Sequence, residues 1–324
     1  MTTGPDQVVL SRPILVAGAH RTGTTWVGKM LAAGGEAAYI SEPLNVLHRP
    51  GLLSIPIQYW YTYICAENEQ EYLPALQELL GFNYQLWAGL QSVNSRKDLL
   101  RVGRDSWTFV LGKIRRQLPL LKDPFASFSI PWFIQKLGCQ VVVTVRHPAA
   151  FASSLKRLNW PFQFSDLIDQ PLLMRDWLEP YHDDIESLLD HERRTGQVDI
   201  ISQASLLWRI VYAVLIRFKE KFPEIHVVRH EDLSLDPISG YTALYKELGL
   251  NFTLSTKKII LESSSSDNPK EASSQNAFDV QLDSRANLEI WKRRLSKPEI
   301  QCIHQITEDI ATAYYPDLDW ELSS

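Results

Sequence analysis

The stretch from Pro13 to Gly34, PILVAGAHRTGTTWVGKMLAAG, leaves the chain little freedom in how it begins to fold. Pro13 punctuates a short apolar run, Ile14 to Ala17, with the length and β-branched character of a buried strand. Gly18 to Gly23 form a turn of small residues, and Thr24 to Ala33 returns to helical composition. Strand, glycine turn and helix, in that order, direct backbone N–H groups and the positive pole of a helix at an anion. Two hydroxyls, Thr24 and Thr25, stand where the helix starts, and one cation, Arg21, sits inside the turn. The stretch reads as a phosphate cradle.

What is missing narrows the kind of cradle. A Walker A loop runs G-x-x-x-x-G-K-[ST], and Gly18 and Gly23 have its spacing. The lysine that should follow Gly23 is Thr24, and the strand Val141–Val145, which should end in a magnesium-holding acid, ends in Arg146. The geometry for an anion is kept while the groups for metal-assisted phosphoryl transfer are lost. The expected ligand is a nucleotide whose charge is met by arginine, lysine and hydroxyls, with no divalent metal.

Arg21-Thr22-Gly23-Thr24-Thr25-Trp26 resembles the 5′-phosphosulfate loop of sulfotransferases that use 3′-phosphoadenosine-5′-phosphosulfate (PAPS). The second half of that signature, an arginine at a strand end and a serine eight residues on, is matched by Arg146 and Ser154. Pro148 fits the first turn of the helix between them. The resemblance implies an α/β fold, a central mostly parallel sheet flanked by helices, in a single domain over residues 1–324. It implies PAPS as co-substrate and 3′-phosphoadenosine-5′-phosphate (PAP) as product. Thr22 to Thr25 would hold the 5′-phosphate, Arg146 and Ser154 the 3′-phosphate, and Arg21 would stabilise charge on the moving group. Trp26 matches a tryptophan that stacks on adenine in the small-molecule branch; the residues alone read equally well as a core position.

Further along, Glu42-Pro43 follows a second strand at Ala37–Ile40, and Lys122-Asp123-Pro124 ends a third at Leu118–Lys122. Both elements resemble the carbohydrate and tyrosylprotein branches. By resemblance Glu42 is the expected base and Lys122 the partner of Arg21 in the clamp. Pro124 stands where cytosolic small-molecule sulfotransferases carry a histidine base, so His20 and His48 are the fallback bases. Between these strands, residues 48–118 break the β/α rhythm with aromatic clusters and read as a helical insert on the acceptor side. Residues 261–285, rich in serine, carry no apolar period and read as a flexible lid, with Arg285 the expected late basic residue on the nucleotide.

A net charge of −5 argues against a nucleic-acid partner. Three scattered cysteines offer no C-x-x-C pair and read as reduced thiols. A polar start and no run of about 18 apolar residues point to a cytoplasmic protein without a transmembrane segment. A glycan hydroxyl leads as acceptor because of the Glu-Pro and Lys-Asp-Pro elements, ahead of a lipid, polyketide or small alcohol. The rival readings are an atypical P-loop kinase or NTPase, and a non-catalytic PAPS- or PAP-binding module.

Overall fold

Burial of one short strand shapes the rest. In the computed structural model, which describes residues 12–47, 49–271, 280–316 and Trp320, β1 (Ile14–Gly18) is fully buried. It lies at the centre of a five-stranded sheet ordered β2-β3-β1-β4-β5. The other strands are β2 (Ala37–Ser41), β3 (Leu118–Lys122), β4 (Gln140–Val145) and β5 (His226–Arg229). Every pairing is parallel. The expected parallel α/β architecture is therefore present, with strands where the apolar runs place them.

Alternation along β1 builds two cores. Leu15 and Ala17 enter the larger one, with Phe133 of α5 (Ile130–Leu137), Phe151 of α6 (Pro148–Leu158) and the long helix Ile200–Lys221. Ile14 and Val16 enter the other, under Val27 and Met30 of α1 (Thr24–Ala32) and beside Tyr241, Leu244 and Tyr245. Helix Ile200–Lys221 is long and apolar enough to cross a membrane, with a mean hydropathy of 1.4 in its most apolar window. Its Trp208, Ile210, Val211 and Tyr212 are wholly buried against the sheet, which makes it a core helix.

One expectation needs correction. The 261–285 segment is not a loop from its start, because helix Leu254–Ser263 runs into it. Its described ends are tied down: Leu282 N–H donates to the Ser263 carbonyl (3.3 Å) and Ser284 Oγ donates to the Ser234 carbonyl (3.0 Å). Residues 272–279, the middle of the expected lid, and His48 lie outside the described residues. The insert holds α2 (Glu69–Leu80), α3 (Leu86–Gln91) and α4 (Arg96–Arg115). Its Tyr61, Phe82 and Phe109 are core residues. Further on, a widened turn at Met174–Leu178 and a tight one at Glu179–Tyr181 precede helix His182–Thr195. Pro180 supplies no N–H to an unbroken helix there.

Strand order places the site. After β1 the chain crosses to one side of the sheet, and β4 opens the other, so the connections diverge between β1 and β4. Ligands of open parallel sheets bind in the crevice at such a divergence, outside the carboxyl ends of the strands. Gly18, at the tip of β1, has φ +126°, and a Cβ there would stand 2.3 Å from the Thr144 carbonyl oxygen of β4. Gly18→Ala should lower stability by about 2–4 kcal/mol in urea denaturation. An unchanged midpoint would mean that the two strand ends are not held so closely.

Candidate active site

The loop after β1 is anchored from beneath and left open above. Gly18 N–H donates to Ser127 Oγ (3.0 Å), Ala19 N–H to the Tyr212 hydroxyl (3.3 Å) and His20 N–H to the Tyr61 hydroxyl (3.2 Å). Thr22 is fully buried and shares a hydrogen bond with Thr144 Oγ1 (2.9 Å), so its side chain fastens the loop and does not face a ligand. Gly23 is the N-cap of α1, with φ 95° and no side-chain cap. A Cβ on it would meet His230 Cδ2 at 2.5 Å. A helix start without a capping side chain leaves its first N–H groups for a ligand.

The second half of the motif lies across the crevice. Helix α6 begins with Pro148, and His147 Nδ1 accepts from Ala149 N–H (3.1 Å). Glu231 accepts from His147 N–H (2.9 Å) and from the Tyr315 hydroxyl (2.7 Å). Arg146 Nη1 donates to the Arg21 carbonyl (3.4 Å) and Nη2 to Asn287 Oδ1 (2.8 Å), while its buried Nε has no partner among the described residues. Arg21 Nε donates to Ser154 Oγ (3.3 Å). The two half-motifs thus join in one cavity of about 600 Å³, lined by Arg21, Gly23, Thr24, Thr25, Arg146 and Ser154 among others.

Among the described residues, four arginines, 21, 146, 157 and 294, and two carboxylates, Glu42 and Glu271, face this cavity. Burial first, then the charges of Arg146 and Arg157, pull the Arg21 guanidinium down to about 10. Burial likewise lowers Arg146. Such a cluster gains by taking up an anion, which relieves both the desolvation and the mutual repulsion. His20 and His230 also line it, and burial holds both imidazoles neutral, His20 at about 4.

Glu42 follows β2 at φ 51°, a left-handed position fixed by its N–H donating to the Lys122 carbonyl (2.7 Å). Its carboxylate forms an ion pair with Lys122 Nζ and accepts from Asn45 Nδ2 (2.7 Å). Burial alone would raise its pKa, but the Lys122 charge and these hydrogen bonds outweigh burial and keep it low. Beyond Glu42 the cavity is aromatic. Trp60 packs on Phe125 (centroids 4.4 Å apart), and His20 lies 6.1 Å from Phe125 and 6.5 Å from Phe162. Arg21 reaches over the Trp160 ring at 5.7 Å.

A family model described as the sulfotransferase family matches residues 13–253. This chain belongs to the sulfotransferase family. Solved structures with a similar course include the sulfotransferase domain from the curacin biosynthetic pathway (15% identity, TM-score 0.47, covering 93% of this chain and 98% of that one). Mouse sulfotransferase SULT7A1 complexed with PAP is another (12% identity, TM-score 0.42, covering 95% and 85%). Retinol dehydratase in complex with retinol and PAP is a third (12% identity, TM-score 0.41, covering 95% and 83%). A search of curated protein sequences found no match.

In this sulfotransferase the sequence-expected residues divide by position. Arg21, Gly23, Thr24, Thr25, Trp26, Glu42, Arg146 and Ser154 come together on the cavity wall. Trp26 is both wall and core: it is 8% exposed, its Nε1–H donates to Ser263 Oγ (3.0 Å) and its ring meets Tyr241 edge-on. Lys122 is buried against Glu42 and does not line the cavity. Arg285 also misses it, since its guanidinium donates to the Leu235 carbonyl (2.7 Å). Arg294 takes the place expected of Arg285, bound to Ser153 Oγ (3.0 Å) and Glu271 (2.6 Å). Trp160, Phe162, His230 and Asn287 were not legible as site residues. Only the aromatic density of Asn159-Trp160-Pro161-Phe162 hinted at a wall.

The Glu42–Lys122 pair should behave as one unit. Glu42→Gln leaves a buried ammonium without its counter-charge and should cost about 3 kcal/mol in urea denaturation. Adding Lys122→Met should recover most of that loss. Additive losses in the double variant would show that the two side chains do not depend on each other.

Proposed function

We propose that this sulfotransferase moves the sulfuryl group of PAPS to an acceptor hydroxyl, without a metal. The observation that carries this reading is the contact of Arg146 with the Arg21 loop inside one cavity. Two oxyanion sites so close suit a ligand with a phosphate at each end of one ribose. The 5′-phosphosulfate would lie on the α1 N-terminus, Thr24 and Thr25. The 3′-phosphate would lie on Arg146 and Ser154, with the unpartnered Arg146 Nε as a donor in reserve. Trp26 and His230, whose rings lie 5.7 Å apart, supply apolar surface for the adenine.

In the reaction an acceptor oxygen attacks sulfur in line while the bond from sulfur to the bridging oxygen breaks, and charge collects on the departing phosphate. Arg21 is the group on this wall that answers that charge. Glu42 takes the hydroxyl proton: it is ionised, in the cleft, and held still by Lys122 and Asn45. Lys122 acts through Glu42 and not on the donor, which revises the clamp expected of it. The missing lysine after Gly23 and the missing acid after β4 disfavour the kinase reading, and a carboxylate beside the cradle disfavours a mere nucleotide sensor.

For the acceptor, the wall favours an apolar alcohol over the glycan suggested by the Glu-Pro and Lys-Asp-Pro elements. Trp60, Phe125, Phe162 and Pro161 dominate that end, with Gln163 and Asn45 as polar exceptions. A sugar needs many hydrogen-bond partners, and unpaired hydroxyls in such a pocket would be costly.

Arg146→Ala should weaken calorimetric PAP binding about 30-fold or more while leaving affinity for adenosine 5′-phosphosulfate, which lacks the 3′-phosphate, nearly unchanged. Equal effects on both nucleotides would remove the 3′-phosphate assignment. Glu42→Gln, assayed with radiolabelled PAPS where the variant is folded, should lower turnover about 10²–10⁴-fold with PAP affinity kept. Full activity of that variant, with loss in His20→Ala, would move the base to His20.

A further inference from the structure

Helix α4 has two apolar faces, and only one is covered. Val102, Phe109 and Gly112 point inward and are buried. Leu99, Leu100, Trp107, Val110 and Ile114 are 54, 75, 62, 47 and 73% exposed. At 3.6 residues per turn these five fall within one sector of about 100°, a continuous stripe along the helix. Helix α3, which packs against α4, adds Leu86 and Trp87, the latter 79% exposed. None of these residues lines the nucleotide cavity.

The stripe has a charged border. Residues 96–116 hold seven lysines and arginines against two aspartates, in a chain whose net charge is −5. Lys97, Arg104 and Arg115 follow one edge of the stripe by the same helical count. Arg101 and Arg104 pair with Asp98 (2.8 Å) and Asp105 (2.9 Å). Arg96, Lys97, Arg115 and Arg116 make no ion pair among the described residues and are exposed.

We propose that α3 and α4 dock this protein on an anionic bilayer surface, with the stripe at the boundary of headgroups and acyl chains. The basic border would meet lipid phosphates. Leucine and tryptophan on one side and arginine and lysine beside them are what an in-plane interfacial helix requires. A bilayer accepts protruding tryptophans without a matching cavity. A second copy of the chain fits less well, because an antiparallel two-fold contact through the stripe would bring the two basic borders toward each other. The inference does not depend on the identity of the acceptor.

Co-sedimentation with vesicles of phosphatidylcholine and about one-third phosphatidylglycerol tests it. The full chain should bind these vesicles and bind pure phosphatidylcholine at least about tenfold more weakly, with added salt reducing the binding. Leu100→Glu with Trp107→Glu should abolish binding, and Lys97→Glu with Arg115→Glu should weaken it about tenfold. All four side chains are exposed, so circular dichroism and PAP affinity should stay as in the parent. No binding to the anionic vesicles, or equal binding by both double variants, overturns the proposal. So does a parent dimer that Leu100→Glu with Trp107→Glu splits in sedimentation velocity, which would give the stripe to a second copy.

Discussion

The contact between the Arg146 guanidinium and the Arg21 carbonyl joins the two halves of the site, and much of the fold serves to place it. Each arginine follows a central strand of one parallel sheet, and each stands beside the start of a helix. Strands β1 and β4 are neighbours in register from Ile14 against Gln140 to Gly18 against Thr144, so their tips come level. A glycine at the tip of β1 lets the loop leave close over β4. With those tips fixed, the two motifs line one crevice.

Much of this was legible before any coordinates. The strands were readable because fully buried parallel strands are short continuous apolar runs, and β1 and β4 are such runs. The residues that line the cavity beside β1 and β4 were readable because the Gly18–Thr25 turn and the Arg146–Ser154 pair carry fixed local spacings. Residues whose role depends on long-range packing were not. By resemblance Lys122 was expected in the clamp with Arg21, yet Glu42, brought next to it by the pairing of β2 with β3, takes up its ammonium. Arg285 and Arg294 are separated by one short helix, and sequence could not say which of them would turn inward. The aromatic wall draws on Trp60, Phe125 and Phe162, from three distant segments, so no local pattern announces it.

The site also holds charge in a strained and crowded way. Glu42 and Arg21 are both non-glycine residues in the left-handed region, at φ 51° and 68°. Such positions persist only where surrounding bonds over-determine them, and they gather at functional sites. Here the bonds are identifiable: the Lys122 carbonyl and ammonium on one, and Ser154 with the Arg146 contact on the other. Arginines crowded around one cavity add mutual repulsion.

The buried hydroxyls beneath the first loop have a further consequence. Tyr61 grips the His20 backbone and ring, and it is the immediate neighbour of Trp60 on the aromatic wall. The amide of the residue next to Arg21 is therefore fastened to the segment that carries Trp60. If the proposed acceptor displaced that segment, the Tyr61 hydroxyl would carry the displacement to the first loop. Binding of either substrate would then alter affinity for the other, equally in both directions by thermodynamic reciprocity.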